Sequence, residues 1–156
     1  MKKALITIQQ DQFSAYQLKQ LNTLIKQNYR RYVSSERLLI TWMQIPQDQM
    51  YCDYKPSQSS IITIEAPDGF PQHKRVNMLK NTQDQWLSIT NQVADNLMLT
   101  LIDSSLFSEI VASNQERLSL LGKLKMLKVI LSSVFASMIR RSPILINPNI
   151  NQNIGN

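Results

Sequence analysis

The tripeptide Ile6-Thr7-Ile8 returns as Ile62-Thr63-Ile64, and the residues beyond each copy keep step. Asp11-Gln12-Phe13 is echoed, after one inserted residue, by Asp68-Gly69-Phe70. Behind each comes an amphipathic stretch and then an apolar run. The identical residues are a slight signal alone; the matching order of elements adds more, and an internal repeat is a fold signature in its own right. A repeated strand-helix-strand unit is also restrictive, because a parallel pair of strands needs a crossover and each helix supplies one.

The elements can be read in order. Residues 4–9 are aliphatic and β-branched, as a short strand requires. Ser14 is a suitable helix N-cap, and Leu18, Leu21, Leu24, Ile25 and Tyr29 recur at the spacing of one buried helical face. Leu38 to Met43 reads as a second strand, whose continuous apolarity suits a strand covered on both faces and which Pro46 stops. A polar, turn-rich region (residues 46–60) comes next, with a short hairpin expected at Met50 to Tyr54. Ile61 to Ile64 is the third strand. A helix is expected from about Gln72 to Asn96, with Leu79, Trp86, Ile89, Val93 and Leu97 on one side, and Leu97 to Ile102 is the fourth strand. The expected fold is therefore α+β, of the α/β type: two consecutive β-α-β units making a four-stranded mixed sheet with helices on one face, plus a C-terminal helical extension.

The chain divides into three regions. Residues 1–103 hold the tandem units. Residues 104–141 form a helical extension, with Leu106, Phe107, Ile110 and Val111 on one short apolar face, a break at Gly122 and a longer helix over 123–141. Residues 142–156 form an extended or disordered tail, in which Pro143 to Ile146 is expected as an edge strand or an arm docked on a neighbour. A chain of 156 residues can bury a core without staples, which matters because Cys52 stands alone and neither a disulfide framework nor a cysteine-based zinc site can be built. Three glycines are too few for a phosphate-cradling loop, and no metal-ligand spacing or paired-carboxylate pattern is present; no cofactor or metal is expected. The apolar stretch at the amino terminus is too short for a signal peptide or a membrane span, so a cytoplasmic location is expected.

The net charge is +6, and it is unevenly placed. From Ser104 onward six basic residues (Arg117, Lys123, Lys125, Lys128, Arg140, Arg141) stand against Glu109 and Glu116, so +4 of the +6 lies in the last third. A solvated basic helix is the plain account of such a run; an anionic partner is the functional one.

Two stretches carry a family resemblance. Trp42-Met43-Gln44-Ile45-Pro46 through Met50-Tyr51-Cys52-Asp53-Tyr54-Lys55-Pro56-Ser57 resembles a strand, an E-[IL]-P step and an aromatic hairpin ending near G-x-P. Ile62-Thr63-Ile64-Glu65-Ala66-Pro67-Asp68-Gly69, with Lys74-Arg75 beyond, is similar to a strand, a small glycine turn and a Q-K-R helix opening. Both resemble the tautomerase superfamily, of the 4-oxalocrotonate tautomerase and macrophage migration inhibitory factor type, over about residues 1–103. The resemblance implies an amino-terminal proline acting as base or nucleophile, arginines after the first and third strands that hold an anionic keto or enol acid, and a homotrimer closed around a threefold axis. This chain departs from that pattern at the decisive places. Position 2 is Lys2, the first turn (Gln10-Asp11-Gln12-Phe13) has no arginine, and Gly69-Phe70 stands where Gly-Arg is expected. Proline-dependent chemistry is not expected.

Other groups are weighed in its place. The α-amino group of Met1 and the side chain of Lys2 are candidate catalytic amines, against the plain account of a solvated chain start. His73, Lys74 and Arg75 at the start of the second long helix, and Tyr51 and Tyr54 in the hairpin, are candidate substrate-binding residues; surface positions and subunit contacts explain them as well. Three functions remain open: an altered tautomerase-like enzyme for a small keto or enol acid, a catalytically silent trimeric scaffold or binding protein, and a binder of nucleic acid or a membrane surface through the basic helix. Self-assembly and a small carboxylate are the favoured partners; nucleic acid and membrane stand last.

Overall fold

A computed structural model describes residues 1–116, 131–137, 139 and 143–146. The expected helix over 123–141 lies outside the described residues except at 131–137 and 139, which are helical. The Gly122 break and the tail from residue 147 also lie outside them.

The first unit is β1 (Lys2–Gln9), α1 (Ala15–Tyr32) and β2 (Leu38–Ile45); the second is β5 (Ser60–Ala66), α2 (Gln72–Thr90) and β6 (Leu97–Asp103). Between them lies a small hairpin, β3 (Tyr51–Cys52) with β4 (Lys55–Pro56). Its two-residue turn, Asp53-Tyr54, has positive φ at both positions, as tight hairpin loops demand. Beyond β6 come α3 (Ser104–Glu116) and β7 (Ile144–Ile146). The sheet order is β6-β5-β1-β2-β7. Within each unit the strands pair parallel, while β1 and β5 pair antiparallel, so the units are related by a local twofold. The axis passes through Ile6 opposite Ile62, and the flanking pairs Leu5–Thr63 and Thr7–Ile61 exchange across it. The repeated tripeptides thus meet at the centre of the sheet.

Both long helices cover one face. Ala4, Ile6 and Ile8 of β1, Leu38, Ile40 and Trp42 of β2, and Ile62 and Ile64 of β5 meet Leu18, Leu21, Leu24, Ile25 and Tyr29 of α1 and Met78 and Trp86 of α2. Each fully buried aliphatic side chain here is worth roughly 1.5–3 kcal/mol. The two tryptophans stack at 6.1 Å, and Phe13 meets Trp86 edge-on at 5.8 Å. Asn28 Nδ2 donates to Thr82 Oγ1 at 3.1 Å, joining α1 to α2 in the interior. Ser14 forms a full capping box with Gln17, and its counterpart in the second unit is Pro71, whose ring cannot donate and which starts α2 instead.

Three expectations are corrected. The second helix ends at Thr90, not near Asn96, because Asn91 takes φ 55° and its N–H caps Leu87 O, after which Val93 is exposed ahead of a separate single turn, Ala94–Asn96. β2 is not equally buried on both faces: its burial alternates, and Leu39, Thr41 and Met43 share the second, half-buried face. The sheet has five strands, because β7 adds to β2 in parallel, so Pro143 to Ile146 supplies an edge strand within its own chain. That second face carries rows of threonine and apolar side chains, such as Thr100–Thr63–Leu5–Thr41 and Met98–Ile61–Thr7–Met43.

Candidate functional site

Antiparallel pairing of the two units brings the starts of β1 and β2 beside the ends of β5 and β6. The ends of parallel strands are where loops and helix starts converge, and the ion pairs of the described residues lie here. Lys2 opens β1, and its backbone N–H donates to Arg37 O at 3.0 Å. Its Nζ lies 2.5 Å from Ser104 Oγ and 3.4 Å from Glu65 Oε1. Ser104 Oγ in turn donates to Ala66 O at 2.8 Å, and Glu65 Oε2 accepts the Lys3 N–H at 3.0 Å. Lys2 and Glu65 keep only 17% and 11% of their side-chain exposure, so the pair is mostly desolvated. The α-amino group of Met1 pairs with Glu36 Oε2 at 3.2 Å, half-exposed on both sides.

Arg75 closes the neighbouring corner. One arm donates to Leu101 O, and the other to Phe70 O at 3.3 Å and Asp103 Oδ1 at 2.8 Å. The guanidinium also sits 5.8 Å from the centre of the Phe70 ring. Gly69 supplies the turn with φ 69°, and its N–H reaches Asp103 Oδ2 at 3.4 Å; across the same gap Asp68 Oδ1 accepts from Ser105 N at 2.9 Å. The hydrogen bond from Arg75, then that from the Gly69 backbone, holds the Asp103 carboxyl below the usual carboxylate range. Tyr29, at the end of α1, is 1% exposed, and its hydroxyl has no hydrogen-bond partner among the described residues. Burial first, then the charges of Glu36 and Glu65, pushes its phenol up to about 12.

The structure thus brings together three of the residues expected from sequence: Met1, Lys2 and Arg75. His73 and Lys74 are exposed in the first turn of α2, beside Arg75. Tyr51 and Tyr54 are elsewhere: the hairpin comes after the far end of β2, an eight-residue strand or about 25 Å away, and both rings face solvent. Tyr29, Glu36, Glu65, Asp103 and Ser104 join the corner without having been expected from sequence. Glu65 leaves one trace there, an acid closing the otherwise uncharged strand Ile61 to Ala66.

Chemically, Met1, Lys2 and Arg75 each face a carboxylate. Lys2 Nζ is held between Glu65 and Ser104, and Arg75 spends both arms on the protein itself. Among the described residues no three histidine, cysteine, aspartate or glutamate side chains stand together as metal ligands, and no helix is long and apolar enough to cross a membrane.

No family model and no curated protein matches the chain. Solved structures do. Native Ps01740 superposes with a TM-score of 0.62 at 16% identity, over 65% of this chain and 92% of its own. Wild-type fused 4-OT, an asymmetric trimer, gives 0.59 at 8% identity, over 65% and 85%. Leishmania major MIF2 gives 0.54 at 7% identity, over 67% and 89%. Likeness at such identity is a likeness of fold.

Proposed function

From the premise that this chain has the tautomerase-superfamily fold, we propose that it is a tautomerase-like protein that assembles with copies of itself and carries out no proline-dependent turnover. The observation that supports this most directly is the state of Lys2. It occupies the second position of the chain, where the family resemblance calls for a proline amine, and its Nζ is committed to Ser104 and Glu65. An anionic keto acid drawn to this corner would compete with Glu65 for Lys2 and with Asp103 for Arg75.

Assembly rests on the second face of the sheet. Leu5 and Ile61 are each 37% exposed and Met98 is 58% exposed on that face. Such a face favours burial against another surface, and a second copy offers the same threonine-lined rows. The trimeric fused 4-OT gives the closed arrangement to test first. In the same proposal residues 1–103 form the tautomerase-like unit, residues 104–141 extend it, and the protein works in the cytoplasm.

Two measurements decide. Light scattering is expected to give a trimer mass, and Met98→Lys with Ile61→Lys to lower it; a monomer of the unmodified chain would sink the assembly. Enol-to-keto conversion of phenylpyruvate, followed by absorbance, is expected to match buffer. A rate above buffer that disappears in Glu65→Gln would replace this proposal with that of an enzyme for a small keto or enol acid.

A further inference from the structure

The outer face of the two long helices carries almost one sign of charge. α1 holds Lys19, Lys26, Arg30 and Arg31, all exposed, and no acidic residue. α2 adds the exposed Lys74 and Lys80 against one acid, Asp84. The ion pairs of the described residues involve none of these cations. Lys19, Lys26 and Arg30 recur at whole turns, so they share one helical face and span about 16 Å along it. Beside them a groove of about 400 Å³ runs between the helices, lined by Tyr16, Lys19, Gln20, Gln27 and Gln85 among others. The helices that flank it are antiparallel, since Gln17 Nε2 donates to Ile89 O while Asn28 Nδ2 donates to Thr82 Oγ1. Tyr16, at one end of the groove, is 71% exposed.

We propose that this face binds single-stranded nucleic acid, with phosphates along Lys19, Lys26 and Arg30 and bases turned into the groove. A row of cations beside an exposed aromatic ring is the combination that holds a single strand: the cations track the backbone and the ring stacks a base. Tyr16 supplies the ring, and the primary amides of Gln20, Gln27 and Gln85 carry donors and acceptors that can meet base edges. A second aromatic and cation stand together at the other end of α1, where the Arg31 guanidinium lies 5.4 Å from the centre of the Tyr32 ring. Other anionic partners fit less well. A duplex keeps its bases stacked inside, so it would use the cations and leave the groove without a role. A membrane surface needs apolar side chains to bury, and the exposed residues between the cations, Thr23 and Gln27, supply none. The helices cover the side of the sheet opposite the rows proposed for assembly, so either proposal can fail without the other.

The test is fluorescence anisotropy of a labelled oligothymidylate of about 15 nucleotides, near the upper size of a single-strand site, titrated with the full chain at rising salt. Saturable binding that weakens with salt, and weaker binding to a duplex of the same length, are the expected results. The triple variant Lys19→Gln, Lys26→Gln, Arg30→Gln is expected to bind at least about tenfold more weakly. It should also lower the slope of log affinity against log salt by about 2, as the loss of three phosphate contacts on a single strand requires. Tyr16→Ala is expected to weaken binding at least about fivefold with that slope unchanged, a result that loss of charge alone would not give. Circular dichroism of both variants should match that of the unmodified chain, because every changed side chain is exposed. Failure of the unmodified chain to bind the oligonucleotide overturns the proposal. So does undiminished binding by the triple glutamine variant, which would move the contact away from this face. Equal affinity for polyglutamate would overturn it in favour of an acidic protein segment. Binding to phosphatidylglycerol vesicles without binding to the oligonucleotide would overturn it in favour of a membrane surface.

Discussion

The two ends of the sheet are related by the repeat but built from different chemistry. Ile6 and Ile62 set the offset at 56 positions, so Lys2 corresponds to Gln58 and Glu65 to Gln9. At one end these positions are an ammonium and a carboxylate, joined by Met1–Glu36 and Arg75–Asp103. At the other end they are neutral amides. The Gln9 backbone N–H donates to Gln12 Oε1 at 2.8 Å, Gln12 and Gln92 both donate to Gln58 O, and Gln92 Oε1 accepts from Trp86 Nε1 and Ser60 Oγ. Backbone geometry is therefore indifferent to which kind of polar pair closes the strands. The amide end is satisfied without any net charge; the ionic end depends on pairing, and it is the end that the family resemblance marks as functional. Changing one member of each network is the sharpest way to separate them.

The largest effect is expected at the ionic end. Lys2→Met leaves Glu65 with only the Lys3 N–H, and an orphaned carboxylate in a mostly desolvated place costs far more than the pair contributes. Because both side chains keep some exposure, the expected loss is about 2–4 kcal/mol in urea unfolding, at the lower end of what a buried pair would show. Lys2→Met with Glu65→Gln should recover more than half of it, since the amide can still accept from Lys3 N. If the two changes simply add, the pair is not the unit that holds this corner.

At the amide end, Gln92→Ala removes two accepted and two donated hydrogen bonds, leaving Trp86 Nε1 without an acceptor. An expected cost of about 2 kcal/mol comes from leaving buried donors unpaired. Amides do not titrate, so this cost should be flat across roughly pH 5 to 9. A cost that changes with pH would mean that the network reaches a charged group and that the two ends are not chemically separate.

The same contrast explains what can be read from the chain itself. Periodicity is local, and it marks Leu18, Leu21, Leu24, Ile25 and Tyr29 as one buried face, all of them core residues. The repeat marks both units and their order. It also links Ser14 with Pro71, which both start helices. The end of α2 is misleading in the sequence because Val93 and Leu97 continue a helical spacing after Asn91 has already turned the backbone left-handed. The ionic corner is only half legible. Lys2 and Arg75 stand out as cations, but their partners lie far along the chain: 102 residues separate Lys2 from Ser104 and 28 separate Arg75 from Asp103. Nothing in local spacing pairs such residues; only the antiparallel meeting of the two units does.

The smallest effect near neutral pH concerns Tyr29, and it tests how far burial and the carboxylates of the ionic end act on a neighbouring side chain. The hydroxyl is buried without a partner among the described residues, so Tyr29→Phe removes a polar group that gains nothing from burial; stability at neutral pH should change by less than about 1 kcal/mol. Alkaline pH reveals the group. Its folded value, about 12, lies above the ordinary 10.0 because of burial and the nearby Glu36 and Glu65. The unfolded chain then releases this proton first, so it binds fewer protons than the folded chain above pH 10, and stability falls as pH rises from about 10 toward 12. A shift of that size corresponds to roughly 2–3 kcal/mol between the ends of the window. Tyr29→Phe should lack this slope, whereas the other four tyrosines remain in both proteins. Absorbance at alkaline pH should show one of the five phenols lagging the rest, and that lag should vanish in the variant. If all five ionise together, the Tyr29 hydroxyl is neither shielded from water nor raised by the carboxylates of this corner, and the ionic end is no more demanding than the amide end.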